Sequence, residues 1–104
     1  MVSKVSDIKV QDIAEYLRLG EVSESEASQL ETFLMGAKSY CASYTGIPII
    51  AESGKESLDD FPDIVIAVYV LVQDMYDNRT MYVDSNNVNR VVQTILDMHM
   101  RNGL

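Results

Sequence analysis

The sequence predicts an all-α fold: a small bundle of four main helices, with a long irregular loop between the second and the third. Three observations predict it. Apolar residues from Val10 recur at the spacing of a single helix face. A capping signal at Ser23-Glu24-Ser25-Glu26 opens a long apolar stripe. A third apolar segment begins beside Pro62 and runs for about fifteen residues, which is long for a strand.

The first helix is expected over Val10 to Leu19. Val10, Ile13, Ala14 and Leu17 follow the i, i+3, i+4, i+7 pattern. Two starts are open: Ser6 or Asp7 caps the helix, or residues 4–8 are extended before it. Gly20 suits the position just past a helix end, where left-handed backbone is common.

The second helix has the clearest start. The Ser23 hydroxyl is placed to accept from the Glu26 amide, and the Glu26 side chain to reach back. Ala27, Leu30, Phe33, Leu34, Ala37, Cys41 and Tyr44 then share one face, and Gly46 is the stop.

Residues 46–61 contain Gly46, Pro48, Ser53, Gly54 and Ser57, and read as a loop. Ile47, Ile49 and Ile50 are unusually apolar for one. Either they tuck under the helices or they meet another subunit. Glu52, Glu56, Asp59 and Asp60 make the rest of the loop acidic.

The run Ile64 to Val72 is rich in β-branched residues, as a buried strand would be. A helix over 62–77 is favoured. Asp60 and Pro62 supply an N-terminal signal, the element continues through Asp74, Met75 and Tyr76, and no other segment offers a good partner strand. A helix apolar on most sides belongs at the centre of a bundle or at a subunit interface. The last helix is expected from about Asn87 to Arg101, capped by Ser85 or Asn86. Val88, Val91, Val92, Ile95, Leu96 and His99 share its face, and Asn102-Gly103 ends it.

At 104 residues the chain is expected to be one domain. Folding at this size buries roughly 65% of the unfolded surface, a modest core that oligomerisation would enlarge. Sixteen acidic and eight basic residues give a net charge of -8, which argues against a nucleic-acid grip built on clustered Lys and Arg. It does not argue against a protein that surrounds DNA without gripping it. Cys41 is the one cysteine, so no internal disulfide is possible and no zinc site is suggested. No apolar signal region is seen in Met1 to Asp7, and the run Ile64 to Val72 is too short to span a bilayer. The expectation is a chain made in a cytoplasm, with no membrane partner. Asn78-Arg79-Thr80 then matches a glycosylation sequon by coincidence.

Candidate chemistry is sparse. His99 is the lone histidine and lies on an apolar stripe, so it reads as a packed or interface residue. Catalysis would need a nucleophile and an orienting acid around it. Asp59-Asp60 and Asp74 with Asp77 are carboxylate pairs, read as a solvated loop and a helix-end charge. No catalytic set, cofactor site or metal site is expected, and the chain does not read as an enzyme. Six tyrosines and no tryptophan suit core edges and interfaces alike. Tyr16 and Tyr69 are expected at the core edge, and Tyr40 and Tyr44, beside the apolar loop, at either a core edge or an interface. Asn78 and Arg79 have a local reading as a helix end. The functional reading puts Arg79 at a subunit boundary against a neighbour's carboxylate.

Several motifs, in order, resemble one family. Asp12-Ile13-Ala14-Glu15-Tyr16-Leu17-Arg18 looks like an opening helix ending in Tyr-Leu-Arg. Tyr44-Thr45-Gly46 looks like an aromatic-x-Thr-Gly stop, and Tyr76, Asn78 and Arg79 form Tyr-x-Asn-Arg. The closing hydrophobic helix has Arg101 near its end. Together these resemble the head–tail connector (adaptor, or head-completion) proteins of tailed bacteriophages. The apolar loop after Gly46 is a departure, in a region where that family varies, and the tail after the last helix is short.

The resemblance implies a structural virion protein at the head–tail interface. It would form a ring homo-oligomer between the portal of the DNA-filled capsid and the stopper or tail-completion protein. The ring would enclose DNA without sequence-specific binding. Apart from the resemblance, the apolar loop, the tyrosines beside it and the helix-end arginine give the expected subunit interface: Tyr40, Tyr44, Ile47, Ile49, Ile50 and Arg79. The rival reading is a small acidic helical regulator, antirepressor-like or antitoxin-like, that binds a basic protein partner.

Overall fold

The computed structural model describes residues 2–50, 54, 56–77 and 90–100, which form four α-helices, two 3-10 turns and no strand. The helices are α1 (Val10–Tyr16), α2 (Glu24–Thr45), α3 (Asp63–Asp77) and α4 (Arg90–Met98). The turns are Val5–Asp7 and Leu58–Asp60. The chain is therefore all-α, with the main helices in the predicted order.

α2 starts at its capping signal: Ser23 Oγ accepts from the Glu26 amide at 3.1 Å. Leu30, Leu34, Ala37 and Cys41 are buried along one face. Its end is Gly46, with φ at 77°, a conformation that costs an L side chain about 1–2 kcal/mol. Thr45 is buried with its hydroxyl in use. It donates to the Cys41 carbonyl at 2.7 Å and accepts from the Ile47 amide at 3.2 Å.

α3 is the central element. It follows Pro62 directly, whose missing N–H would have no helical partner there. The Pro62 carbonyl accepts from the Val65 amide at 3.1 Å. Ile64, Val65, Ala67, Val68, Tyr69 and Val72 are buried, and α3 packs against α1, α2, α4 and the first 3-10 turn. Only the face carrying Ile66, Gln73 and Asp77 is exposed. Burial on three sides outweighs the weak helix propensity of Val and Ile, a few tenths of a kcal/mol each, since a buried Val or Ile side chain contributes about 1.5–3 kcal/mol.

Two helix ends differ from expectation. α1 stops at Tyr16, before Leu19. The Leu19 amide reaches back to the Ala14 carbonyl at 3.0 Å and the Arg18 amide to Glu15 at 3.1 Å. That is a Schellman stop, with Arg18 rather than Gly20 in the left-handed position, at φ 58°. Gly20 is also left-handed, at φ 70°, but lies further on. α4 ends at Met98, before Arg101. The His99 and Met100 amides bond to Leu96 and Asp97, three residues back, so the last turn tightens and closes. The start expected near Asn87, its caps Ser85 and Asn86, Val88, and the stop at Asn102-Gly103 lie outside the described residues.

Neither start expected for α1 is seen. Residues 5–7 form a 3-10 turn, and the first helical turn is closed by Asp12 Oδ2 accepting from the Lys9 amide at 2.8 Å. The loop between α2 and α3 is less irregular than expected. Asp60 accepts from the Ser57 amide at 3.0 Å, which shapes the Leu58–Asp60 turn and buries Leu58. Asp59 takes both the amide and the hydroxyl of Ser6, at 2.9 and 2.5 Å, tying the two 3-10 turns together. Of these loop carboxylates, Asp60 caps its own turn and Asp59 ties that turn to the first one.

Candidate functional site

Ile47, Ile49 and Ile50 separate by environment. Ile47 is 1% exposed and belongs to the core. Of the two expectations for the loop isoleucines, Ile47 follows the first and tucks under the helices: Gly46 turns the chain inward and Thr45 holds the Ile47 amide. Ile49 is half-buried and packs against the core. Ile50 stands in solvent at 71% exposure.

Tyr40 and Tyr44 are both half-buried on α2, their rings 5.9 Å apart. The Tyr44 hydroxyl donates to Asp97 Oδ1 of α4 at 2.5 Å. That bond to a carboxylate holds the phenol proton and raises the Tyr44 pKa above its ordinary value. Tyr44 thus works as a tether between α2 and α4. Tyr76 closes α3, half-buried. Asn78 and Arg79, which complete the Tyr-x-Asn-Arg motif, lie outside the described residues.

The fold also assembles two groupings that spacing did not reveal. The first joins Asp63, at the start of α3, to His99, just past α4. His99 Nε2 lies 3.0 and 2.8 Å from the two Asp63 oxygens, and the Phe61 ring is 4.4 Å from the imidazole. A carboxylate orienting an imidazole is half of a catalytic relay. The described surroundings supply an aromatic packing partner, and the pair ties α3 to α4. The chain's one thiol, Cys41, is fully buried, and desolvation pushes its pKa up to about 12, so it is a thiol and not a nucleophile at neutral pH. His99 is therefore a packed histidine in these surroundings, with a partner 36 positions away that no periodicity points to.

The second grouping is an open groove lined by Val2, Asp12, Glu15, Tyr16 and Tyr69. Tyr16 and Tyr69 stack with centroids 4.9 Å apart and planes 18° from parallel. Tyr16 donates to Gln73 Oε1 at 3.1 Å. Tyr69 is 4% exposed and Tyr16 38%. Burial raises the Tyr69 pKa, and the nearby charges of Asp12 and Glu15 add to the effect. Tyr69 is thus part of the buried core, and Tyr16 is exposed and stacks against it. The spacing of Asp12, Glu15 and Tyr16 at i, i+3 and i+4 was the available signal that they share a face of α1.

Comparison of the chain with family models, curated proteins and solved structures finds no match. No helix among the described residues is long and apolar enough to cross a membrane.

Proposed function

We propose that the chain is a head–tail connector of a tailed bacteriophage, a structural subunit that assembles as a ring between portal and stopper. The observation that carries this reading is the ordered set of motifs on an all-α chain: Tyr16-Leu17-Arg18, Tyr44-Thr45-Gly46 and Tyr76-x-Asn78-Arg79. Two of them have a visible physical basis. Arg18 occupies the left-handed stop of α1, and Thr45 with Gly46 builds the stop of α2.

Other properties fit the same role. Exposed Ile50 offers an apolar contact next to the end of α2, the longest helix. A net charge of -8 per subunit keeps a ring from adhering to DNA that must slide through it. Contacts between unlike faces close into a ring when the rotation between neighbours closes.

Electron microscopy of the purified protein at high concentration, alone and with a portal ring, tests the proposal. Closed rings that co-migrate with the portal are the expected result. A protein that stays monomeric, ignores the portal and captures a basic protein would move the reading to the acidic regulator. Duplex DNA titrated at physiological salt should bind weakly and without sequence preference. Capsids assembled without the protein should package DNA but fail to retain it or to join tails.

A further inference from the structure

We propose that the groove between α1 and α3 receives an arginine side chain from a different protein. It is an open concavity of about 430 Å³. Two carboxylates, Asp12 and Glu15, stand beside a stacked tyrosine pair. Among the described residues neither carboxylate has a Lys or Arg partner, although Asp12 Oδ2 accepts from the Lys9 amide. The Tyr16 hydroxyl is held by Gln73 and Tyr69 is 4% exposed, so the rings are set in place before a ligand arrives.

This combination selects a particular cation. A guanidinium is planar, stacks on an aromatic ring and offers a fork of N–H donors to carboxylates. An ammonium lacks the plane, and a metal ion finds no ligands on the aromatic side. Phosphates of nucleic acid or lipid meet two like charges here and a net -8 on the chain. Every copy of the chain carries the same net -8, so the groove is assigned to a basic protein, and a second copy is the competing outcome of the test. The inference does not depend on the ring proposal, because the groove is complete within one subunit.

The test is an NMR titration with N-acetyl-arginine methylamide, using N-acetyl-citrulline methylamide as the neutral isostere. Shifts are expected at Tyr16, Glu15 and Asp12, with the citrulline probe roughly tenfold weaker. Glu15→Gln, an exposed change, and Tyr16→Leu should each weaken the arginine probe severalfold. Equal binding of the two probes, shifts centred elsewhere, or full binding by Glu15→Gln would overturn the proposal. So would loss of self-association in Glu15→Gln, which would assign the groove to a second copy. Because the probe reports on a single subunit, the titration outcomes are independent of whether rings form.

Discussion

Ile47 and Ile50 belong to one short loop and end in opposite environments, the first 1% exposed and the second 71%. Their side chains are identical, so the difference lies in the backbone around them. Up to Pro48 the loop is held on both sides: Thr45 Oγ1 grips the Ile47 amide, and the Pro48 carbonyl accepts from the Leu58 amide at 2.9 Å. Those bonds direct Ile47 into the space between the helices. Ile49 packs partly against the same core, and Ile50 does not. An apolar loop residue is therefore not evidence of an interface by itself. What distinguishes core from free surface here is whether polar groups bind the local backbone inward.

The largest effect should come from the buried member. Ile47→Ala removes a fully enclosed side chain and should cost about 2–5 kcal/mol. For a domain of this size, that lowers the melting temperature by roughly 10 °C or more. Urea denaturation measures it directly. A loss below about 1 kcal/mol would mean the loop relaxes around the change and that Ile47 is not fixed as described.

The bonds that hold Ile47 inward can be removed without changing the shape of the site. Thr45→Val keeps the volume but strands the buried Ile47 amide and removes the extra donor to the Cys41 carbonyl. Thermal unfolding should show about 1–3 kcal/mol of destabilisation. Thr45→Ser restores the hydroxyl and should recover most of it. If valine and serine behave alike, the hydroxyl is not what orders the loop.

Much of this could be read in the sequence. Ser23 as a cap, Gly46 as a stop and the segment after Pro62 as the central helix all follow from local signals, and local signals set local structure. What escaped were features that depend on distant partners. The Asp63–His99 pair spans two helices, and the groove needs Tyr69 of α3 to meet Tyr16 of α1. The α1 stop escaped for another reason: a Schellman closure was satisfied with Arg18 in the position glycine favours. Of the predicted contact residues, Ile50 is exposed and Ile47 is not, a distinction set by the Thr45 hydroxyl and the turn at Leu58–Asp60. On α4, Val91 was expected on the packed face but is 53% exposed, since Val92 and Leu96 take the buried positions.

Cys41 lies one turn before Thr45 on the same buried face and reports on that face quietly. At neutral pH it should resist thiol reagents until the protein is unfolded in urea. Its folded pKa is raised from 9.0 to about 12, so the folded state holds its proton more tightly than the unfolded state. The stability linked to that proton is fully present below pH 9 and is lost as pH rises toward 12. Between pH 9 and pH 10 the loss attributable to this group should be about 1 kcal/mol. Comparing wild type with Cys41→Ala over that interval isolates it, and parallel pH profiles would show that the thiol is less buried than described.

The smallest effect on the subunit itself should come from Ile50→Asp. The side chain is already in solvent, so exchanging it should change stability by no more than about 0.5 kcal/mol. Ile49 is left in place because it packs against the core, and altering it would mix folding with association. If Ile50 is a contact residue, placing a carboxylate in an apolar interface buries a charge without a partner, which costs several kcal/mol. Repeated at each boundary of a ring, that cost should abolish assembly while the circular dichroism spectrum and urea midpoint stay at wild-type values. Sedimentation of wild type and variant at matched concentration makes the comparison. If the variant assembles as the wild type does, Ile50 is one of the isolated exposed apolar residues that ordinary protein surfaces carry. The contact surface would then have to be sought on other faces, with exposed Ile66 of α3 the first to examine.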